Sequence, residues 1–262
     1  MLRRLALMTL TAALSLGCAT ADKDRARGGR ESIQPPPAWA SADGRLDARM
    51  NMAETMLRAG EPERAVAVLA AIRQEQEGGY AVDLLQARAF QAMGMDDEAL
   101  ALLEPHGSRQ RRDGELQQLL GLLYFDLDRL DEAEVAMQRA ATIDPRNPEI
   151  ANNLGFLLLV QDRADEAVPW LRMAVGLDPA QQRYRSNLGF ALAADGRSEQ
   201  ALQIFRSAGP EPLALARLGV AHERADQREL ALARYHQALQ LDPHQGVARA
   251  GLDRIEPTDD QE

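Results

Sequence analysis

The sequence repeats itself with a period of about 34 residues, and this period restricts what the chain can fold into. Its clearest marker is a Leu-Gly pair, found at Leu120-Gly121, Leu154-Gly155, Leu188-Gly189 and Leu218-Gly219. The first three pairs are evenly spaced at this period, and the fourth comes slightly early. Weaker copies upstream are centred on Gly60 and Gly94. Such a period is typical of arrays in which each repeat is one supersecondary unit. Repeats then start near residues 46, 80, 114, 148, 182 and 212.

Within each repeat, the residue pattern predicts two helices joined by a short turn. Two amphipathic segments flank a break such as Asp195-Gly196-Arg197. The glycine of each Leu-Gly pair would let the two helix backbones approach closely, since a larger side chain would push them apart. Because one hairpin cannot bury its own apolar face, neighbouring hairpins must stack. Residues 247–255 are predicted to form a short helix that caps the last hairpin.

Prolines indicate where the second helices end. Asp144-Pro145, for example, is expected to close a helix, because proline disfavours helical geometry in the preceding residue. Pro105-His106-Gly107 is expected to cut short the second helix of the second repeat. Gly209-Pro210 replaces the usual end of the fifth repeat and predicts a shorter helix there. That join is either a harmless deletion or a notch for a specific partner.

One copy carries most of a known family pattern, namely Leu120, Gly121, Tyr124, Ala133, Met137, Ala140 and Pro145. In these residues the chain resembles the tetratricopeptide repeat family, over roughly residues 45–245. The resemblance implies an all-α fold, a right-handed α-solenoid of about six helical hairpins with a C-terminal capping helix. We expect the array to occupy residues 45–255 and to be followed by an acidic tail at 256–262.

The N-terminus has the pattern of an address signal. Arg3 and Arg4 precede an uncharged run, 5–17, which is too short to span a bilayer. The run ends in Gly17-Cys18 and resembles a bacterial lipobox, which implies a signal peptide at 1–17 and a lipid on Cys18. The alternative is an ordinary signal peptide with a chance cysteine. Residues 18–44, which include three consecutive prolines, are interpreted as the lipidated cysteine and a flexible linker.

The same resemblance suggests a location. In lipoproteins of two-membrane bacteria, Asp after the lipidated cysteine resembles an inner-membrane retention signal, whereas Ala19 follows it here. We therefore expect an outer-membrane lipoprotein on the periplasmic face, bound to the membrane by its acyl chains.

Composition and motifs argue against several classes of function. The net charge of −10 and the lack of a basic stripe argue against nucleic acid as a partner. A single cysteine excludes an internal disulfide and a site of several thiolates. We find no motif for phosphate binding, nucleophilic catalysis or metal ligation, so we expect no enzyme, no small-molecule substrate and no cofactor beyond the lipid on Cys18. His222 and His236 could contribute to a metal site, but ordinary surface or groove histidines are the preferred interpretation.

The first helices of three adjacent repeats carry a candidate binding surface. In this family the first helices line an inner groove, and their inward positions are Leu122, Phe125, Asn153, Phe156, Leu159, Asn187 and Phe190. Apolar side chains grouped on one solvent-facing surface are typical of binding sites. Asn153 and Asn187 either hold the backbone of an extended peptide or stabilise neighbouring helices.

Membrane-anchored arrays of this kind resemble assembly factors of secretion and pilus machines. The segments Asn152-Asn153-Leu154-Gly155-Phe156 and Arg185-Ser186-Asn187-Leu188-Gly189, with the short fifth repeat, resemble the TadD-type family of tight-adherence pilus assembly. Pilotin lipoproteins, which escort a secretin to the outer membrane, are the nearest alternative family within the same class. We thus expect a scaffold that binds protein or peptide segments of an envelope assembly. The alternative is a periplasmic adaptor that recruits peptidoglycan enzymes or proteases.

Overall fold

The computed structural model describes residues 42–75, 79–110 and 112–256, which form thirteen α-helices and no strand. The predicted signal peptide, Cys18, most of the predicted linker and the residues beyond Glu256 lie outside the described residues. In chain order the helices are α1 (Ala42–Arg58), α2 (Pro62–Gln74), α3 (Tyr80–Ala92), α4 (Asp96–Gly107), α5 (Gly114–Asp126), α6 (Leu130–Ile143), α7 (Pro148–Val160), α8 (Ala164–Leu177), α9 (Gln182–Ala194), α10 (Ser198–Ser207), α11 (Glu211–Arg224), α12 (Arg228–Leu241) and α13 (Gly246–Ile255).

Helix starts follow the sequence period. The helices α3, α5, α7 and α9 begin at Tyr80, Gly114, Pro148 and Gln182, at equal intervals that match the repeat period. The first helix begins at Ala42, slightly before the expected start of the array. The eleventh begins at Glu211, because Pro212 fits the first turn of a helix, where its missing N–H needs no partner.

The turn inside each hairpin is built on one residue with positive φ. It is Gly60, Gly94 or Gly196 in three hairpins (φ between 71° and 77°), and aspartate in the other three. In the hairpin of α7 and α8, Asp162 N–H donates to Leu159 O (3.2 Å) and Arg163 N–H donates to Leu158 O (2.9 Å). These two bonds form a Schellman motif, which satisfies the last carbonyls of the first helix. Arg163 then serves as the N-cap of the second helix, α8, which begins at Ala164.

Glycines set the distance between the two helices of a hairpin. Gly121, Gly155, Gly189 and Gly219 each face the equivalent residue of the second helix: Met137, Leu171, Phe205 and Tyr235. A Cβ added at Gly155 would lie 2.6 Å from Leu171 Cγ, and one at Gly219 would lie 2.5 Å from the ring of Tyr235. The side chain of the second helix therefore occupies the space that the glycine leaves.

Two second helices are short, for different reasons. Helix α10 has 10 residues against 14 in α6, and Pro210 follows it as the N-cap of α11. Arg206 bridges this join with two bonds to Glu211 (2.5 and 2.6 Å). Helix α4 has 12 residues, but Pro105 lies inside it and does not end it. A proline near the C-terminus of a helix removes only one hydrogen bond, and the helix continues to Gly107.

The chain divides into two compact units, one ending at Met93 and the other beginning at Gly94. The core of the first consists of Ala53, Ala65, Leu69, Ile72, Val82, Leu85 and Ala89. The second has one continuous core from α6 to α13, in which alanine and leucine predominate. Within this second unit, the stacked hairpins and the terminal helix α13 confirm the expected all-α repeat fold. No helix in the described ranges has both the length and the apolar character to cross a membrane.

Candidate functional site

The candidate site lies on the first helices of three neighbouring hairpins, α5, α7 and α9, all in the second unit. We call Leu122, Phe125, Asn153, Phe156, Leu159, Asn187 and Phe190 the groove face. Leu122, Phe156 and Phe190 each follow a glycine that packs on the second helix. One residue further along a helix is rotated by about 100°, so these side chains point away from that contact. All members of the groove face are half-buried except Asn153, which is 8% exposed.

Aromatic rings connect adjacent first helices. The rings of Phe125 in α5 and Phe156 in α7 lie with their centroids 5.8 Å apart and their planes inclined by 56°. This tilted arrangement is one that aromatic pairs favour. Leu122, Phe125 and Leu159 also pack against the core of the second unit. The groove face is thus an extension of the core that remains partly open to solvent.

Phe190 has more protein contacts than its equivalent Phe156. Its ring meets the buried ring of Phe205 edge-on, with centroids 5.3 Å apart. The guanidinium of Arg224, from α11, lies over Phe190 at 4.8 Å from the ring centre. A cation at this distance from an aromatic ring is attracted to its face. Arg224 therefore extends the groove face from α9 to α11.

The groove asparagines hydrogen-bond to side chains of the array. Asn187 Nδ2 donates to Asn152 Oδ1 (2.9 Å), and Asn152 Nδ2 donates to Asn153 Oδ1 (3.3 Å). Asn152 is 1% exposed, so its amide is satisfied within the protein. The chain of amides connects α7 with α9. Of the two roles considered for these asparagines, this arrangement corresponds to the stabilisation of neighbouring helices. Sequence reasoning missed Asn152, although it adjoins Asn153.

Two arginines on α11 lie beside the groove face and were also missed from sequence. Arg217 comes two residues before Gly219, as Asn153 and Asn187 come two residues before their own glycines. It is half-buried, and its Nη1 is fully buried with no hydrogen-bond partner among the described residues. Burial lowers the pKa of the Arg217 guanidinium, and burial also lowers the pKa of Arg224. The repeat register alone could have placed Arg217 in line with the two asparagines.

The histidines do not form a metal site in the described part of the chain. His222 is 2% exposed, and its Nδ1 lies 2.6 Å from Gln227 Oε1, whereas His236 is exposed. Within residues 42–75, 79–110 and 112–256, no group of three His, Cys, Asp or Glu side chains could hold a metal ion.

Family models described as tetratricopeptide repeat match residues 124–188, 46–71 and 182–207. The helical hairpins within these stretches are tetratricopeptide repeats. The matched stretches include every residue of the groove face except Leu122. A comparison with curated protein sequences gave no match.

Several solved structures are similar to this helical array. MamA of strain AMB-1 is 26% identical, matches 63% of this chain and 91% of its own, and superposes with a TM-score of 0.53. The pilF protein of Pseudomonas aeruginosa is 17% identical, matches 81% of this chain and 98% of its own, and has a TM-score of 0.60. YrrB, described as a tetratricopeptide protein with an unusual peptide-binding site, is 22% identical over 69% of this chain and 95% of its own, with a TM-score of 0.55. At these identities, pilF and YrrB indicate a shared fold alone.

Proposed function

We propose that this chain is a membrane-tethered scaffold whose groove face receives a segment of an envelope-assembly protein. The observation that carries the proposal is the set of half-buried apolar residues on three adjacent first helices. Side chains that are anchored in a core and open on one side offer apolar area to a partner with little loss of conformational entropy. A protein that only needed to fold would gain more from burying them completely.

Rigid anchoring supports this role for the aromatic residues. Phe125 and Phe156 hold each other at 5.8 Å, so neither ring has to be ordered when a partner binds. Aromatic residues placed in this way often contribute about 2 kcal/mol or more to an interface. The peptide-binding site named for YrrB supports a peptide partner for repeats of this kind.

The tether and the type of partner rest on the sequence. The uncharged run that ends in Gly17-Cys18 supports a lipid anchor, and the absence of Asp after Cys18 supports the outer membrane. The resemblance to TadD-type and pilotin lipoproteins supports a partner in a pilus or secretin machine. We expect no catalytic step, since positioning a segment of another protein needs only the groove face.

The test compares Phe156→Ala with Val135→Ala. Val135 is 48% exposed on the second helix α6 and serves as an apolar control away from the groove face. We expect Phe156→Ala to cost clearly less than the roughly 3–5 kcal/mol typical of a fully buried phenylalanine. It should nevertheless abolish capture of particular envelope proteins by the lipidated chain, as identified by mass spectrometry. Val135→Ala should retain them.

The identity of the lost proteins decides the class of function. Loss of pilus or secretin components supports the proposal. Loss of cell-wall hydrolases or proteases instead would favour an adaptor that recruits those enzymes. If Phe156→Ala and Val135→Ala capture the same proteins as the unmodified chain, the groove face is not the binding site.

A further inference from the structure

The two arginines of α11 have an arrangement that the fold itself does not need. Arg217 buries its Nη1 without a partner among the described residues. A buried, charged donor without an acceptor costs more free energy than a satisfied one. An unsatisfied group of this kind in a well-packed array therefore calls for an explanation outside the packing.

Some arginines of the same unit are neutralised by carboxylates. Arg163 bonds Glu134 and Glu166 (2.6 and 2.7 Å), and Arg183 lies 3.8 Å from Glu149. In an acidic chain of net charge −10, carboxylates are plentiful. Neither Arg217 nor Arg224 forms an ion pair of this kind within the described residues.

Arg224 has a carboxylate next to it in sequence but does not pair with it. Glu223 instead accepts two bonds from Arg254, both 2.9 Å long, and one from Tyr235. Part of Arg224 remains exposed, and its guanidinium lies over the Phe190 ring, which shields one face from water. The cation is held at the edge of the groove face with its hydrogen-bond donors not committed to a carboxylate.

We infer that the α9–α11 end of the groove face binds an acidic peptide segment, with one carboxylate on Arg217 and a second on Arg224. This inference rests on the proposed function and specifies the chemistry of its partner. Carboxylates match the planar fork of guanidinium donors, and pairing would neutralise the half-buried cation of Arg217. Asn187 comes two residues before the glycine of its repeat, and Arg217 has the same position in the next repeat. The bound segment would therefore pass Asn187 one hairpin before it reaches Arg217.

The positions of the two arginines predict the spacing of the acidic residues. Arg217 and Arg224 are seven residues apart, so they lie on one face of α11 and about 10 Å apart along its axis. A peptide in the polyproline II conformation advances by about 3.1 Å per residue and has three residues per turn. Two acidic residues separated by two others would therefore lie on the same side of the peptide, about 9 Å apart, which is close to the separation of the two arginines.

The experiment measures binding of two synthetic peptides to the full chain. One has the core Phe-Glu-Ala-Ala-Glu-Leu, and in the other both glutamates are replaced by glutamine. We expect the acidic peptide to bind at least about tenfold more tightly, because hydrogen bonds to charged groups typically contribute that much. Arg217→Gln and Arg224→Gln should each remove most of this preference. Arg172→Gln, which changes an exposed arginine on α8, should leave it unchanged.

Thermal melting separates binding from a structural role. Removing a buried unpaired cation should leave the melting temperature of Arg217→Gln unchanged or raise it. A lower melting temperature with unchanged peptide affinity would mean that Arg217 supports the fold, and the inference would be wrong. Equal binding of the two peptides, or no binding of either, would also overturn it.

Two further outcomes distinguish this inference from its alternatives. If the chain binds vesicles containing phosphatidylglycerol through Arg217 but ignores the acidic peptide, the arginines contact a membrane surface instead. If Phe156→Ala abolishes capture of the envelope partner while Arg217→Gln does not, the proposed function stands and only the acidic partner is wrong.

Discussion

Single residues control how closely the helices of this array approach each other. At Gly155, an added Cβ would lie 2.6 Å from Leu171 Cγ and 3.2 Å from the carbonyl oxygen of Ala167. The backbone oxygen cannot move without shifting α8, so the position tolerates only hydrogen. Gly176, near the end of α8, has no such neighbour within 4 Å of an added Cβ. Close packing of the two helices therefore requires glycine at position 155, whereas nothing close to position 176 excludes a larger residue.

We expect the same substitution at these two positions to have opposite effects. Gly155→Ala should destabilise the second unit by about 1–3 kcal/mol, as is typical of overpacking. Gly176→Ala should stabilise it by about 0.4–1 kcal/mol, because alanine loses less conformational freedom on folding. Chemical denaturation of the two variants measures both values. Equal effects would mean that Gly155 is not at a close helix contact.

The elements of the fold are joined by turns and a cap whose geometry is local. The turn residue before each second helix has positive φ, with 77° at Gly196 and 60° at Asp162. At the C-terminal end, the ring of Tyr235 in α12 lies close to both Gly219 and Gly251, so that α11 and α13 pack against the same ring. The Tyr235 hydroxyl donates to Glu223 (2.5 Å), which also holds Arg254 of the cap. Helix α13 therefore completes the last hairpin.

The turn geometry leads to a prediction at Gly196. Gly196→Ala should destabilise the protein by about 1 kcal/mol, because an L-residue in the left-handed region is sterically crowded. The control is Gly246→Ala at the start of α13, where φ is not positive and an added Cβ meets nothing within 4 Å. This control should change stability by no more than about 0.5 kcal/mol. A thermal melt in which both variants behave alike would contradict the assigned turn.

The cap should be sensitive to acid through Glu223. The bond from Arg254 lowers the pKa of Glu223, with a further contribution from Tyr235, against an opposing effect of burial. A carboxyl whose pKa is lowered in the folded state stabilises that state above its ordinary pKa of about 4.3, and the contribution is lost as pH falls through the folded pKa. The protection factors of the α13 amides, which correct for the pH dependence of intrinsic exchange, should therefore fall in acid.

Glu223→Gln provides the comparison for the cap. The glutamine side chain of this variant cannot titrate. Its α13 amides should therefore already be less protected at neutral pH, and their protection should change less on acidification. The difference in protection between the two proteins should narrow below about pH 4. Parallel curves over the whole range would show that Glu223 does not hold the cap.

At the scale of the whole molecule, the chain combines a binding array with an expected membrane tether. The described helices account for the array, whereas the tether is predicted from residues 1–18, which lie outside the described residues. Acyl chains bind membranes by burying methylene groups at about 0.8 kcal/mol each, so a lipid on Cys18 would need no apolar helix. The repeats would then be presented close to the membrane surface, at the end of a linker.

Fractionation tests the tether directly. Cys18→Ala should release the chain from the membrane fraction, because no thiol remains to be acylated. Ser15, the third residue before Cys18, provides the matched control, since leucine is the commonest residue at that position of a lipobox. The Ser15→Leu variant should stay in the membrane fraction. A Cys18→Ala variant that sediments with membranes as completely as the unmodified chain would contradict lipidation.

The sequence by itself determined the type of fold and the register of its helices. The repeat period, the Leu-Gly pairs and the Asp-Pro closures act over one or two helical turns, so their effects can be read without knowing the neighbours. The observed helix starts at Tyr80, Gly114 and Pro148 coincide with the predicted repeat starts. Helix α4 is short and ends within the segment Pro105-His106-Gly107, but Pro105 itself lies inside the helix, because the effect of a proline depends on how near it lies to the helix end.

Only the tertiary structure decided which side chains of the groove face contact one another. The bond from Asn187 to Asn152 and the contact of Arg224 with the Phe190 ring join residues of different hairpins, whereas Nη1 of Arg217 is buried without a partner among the described residues. Periodicity places such residues on the same face, but it does not specify which side chains meet or which donors lose water. Those outcomes depend on small differences in the distances between helices, set by how every neighbouring side chain packs.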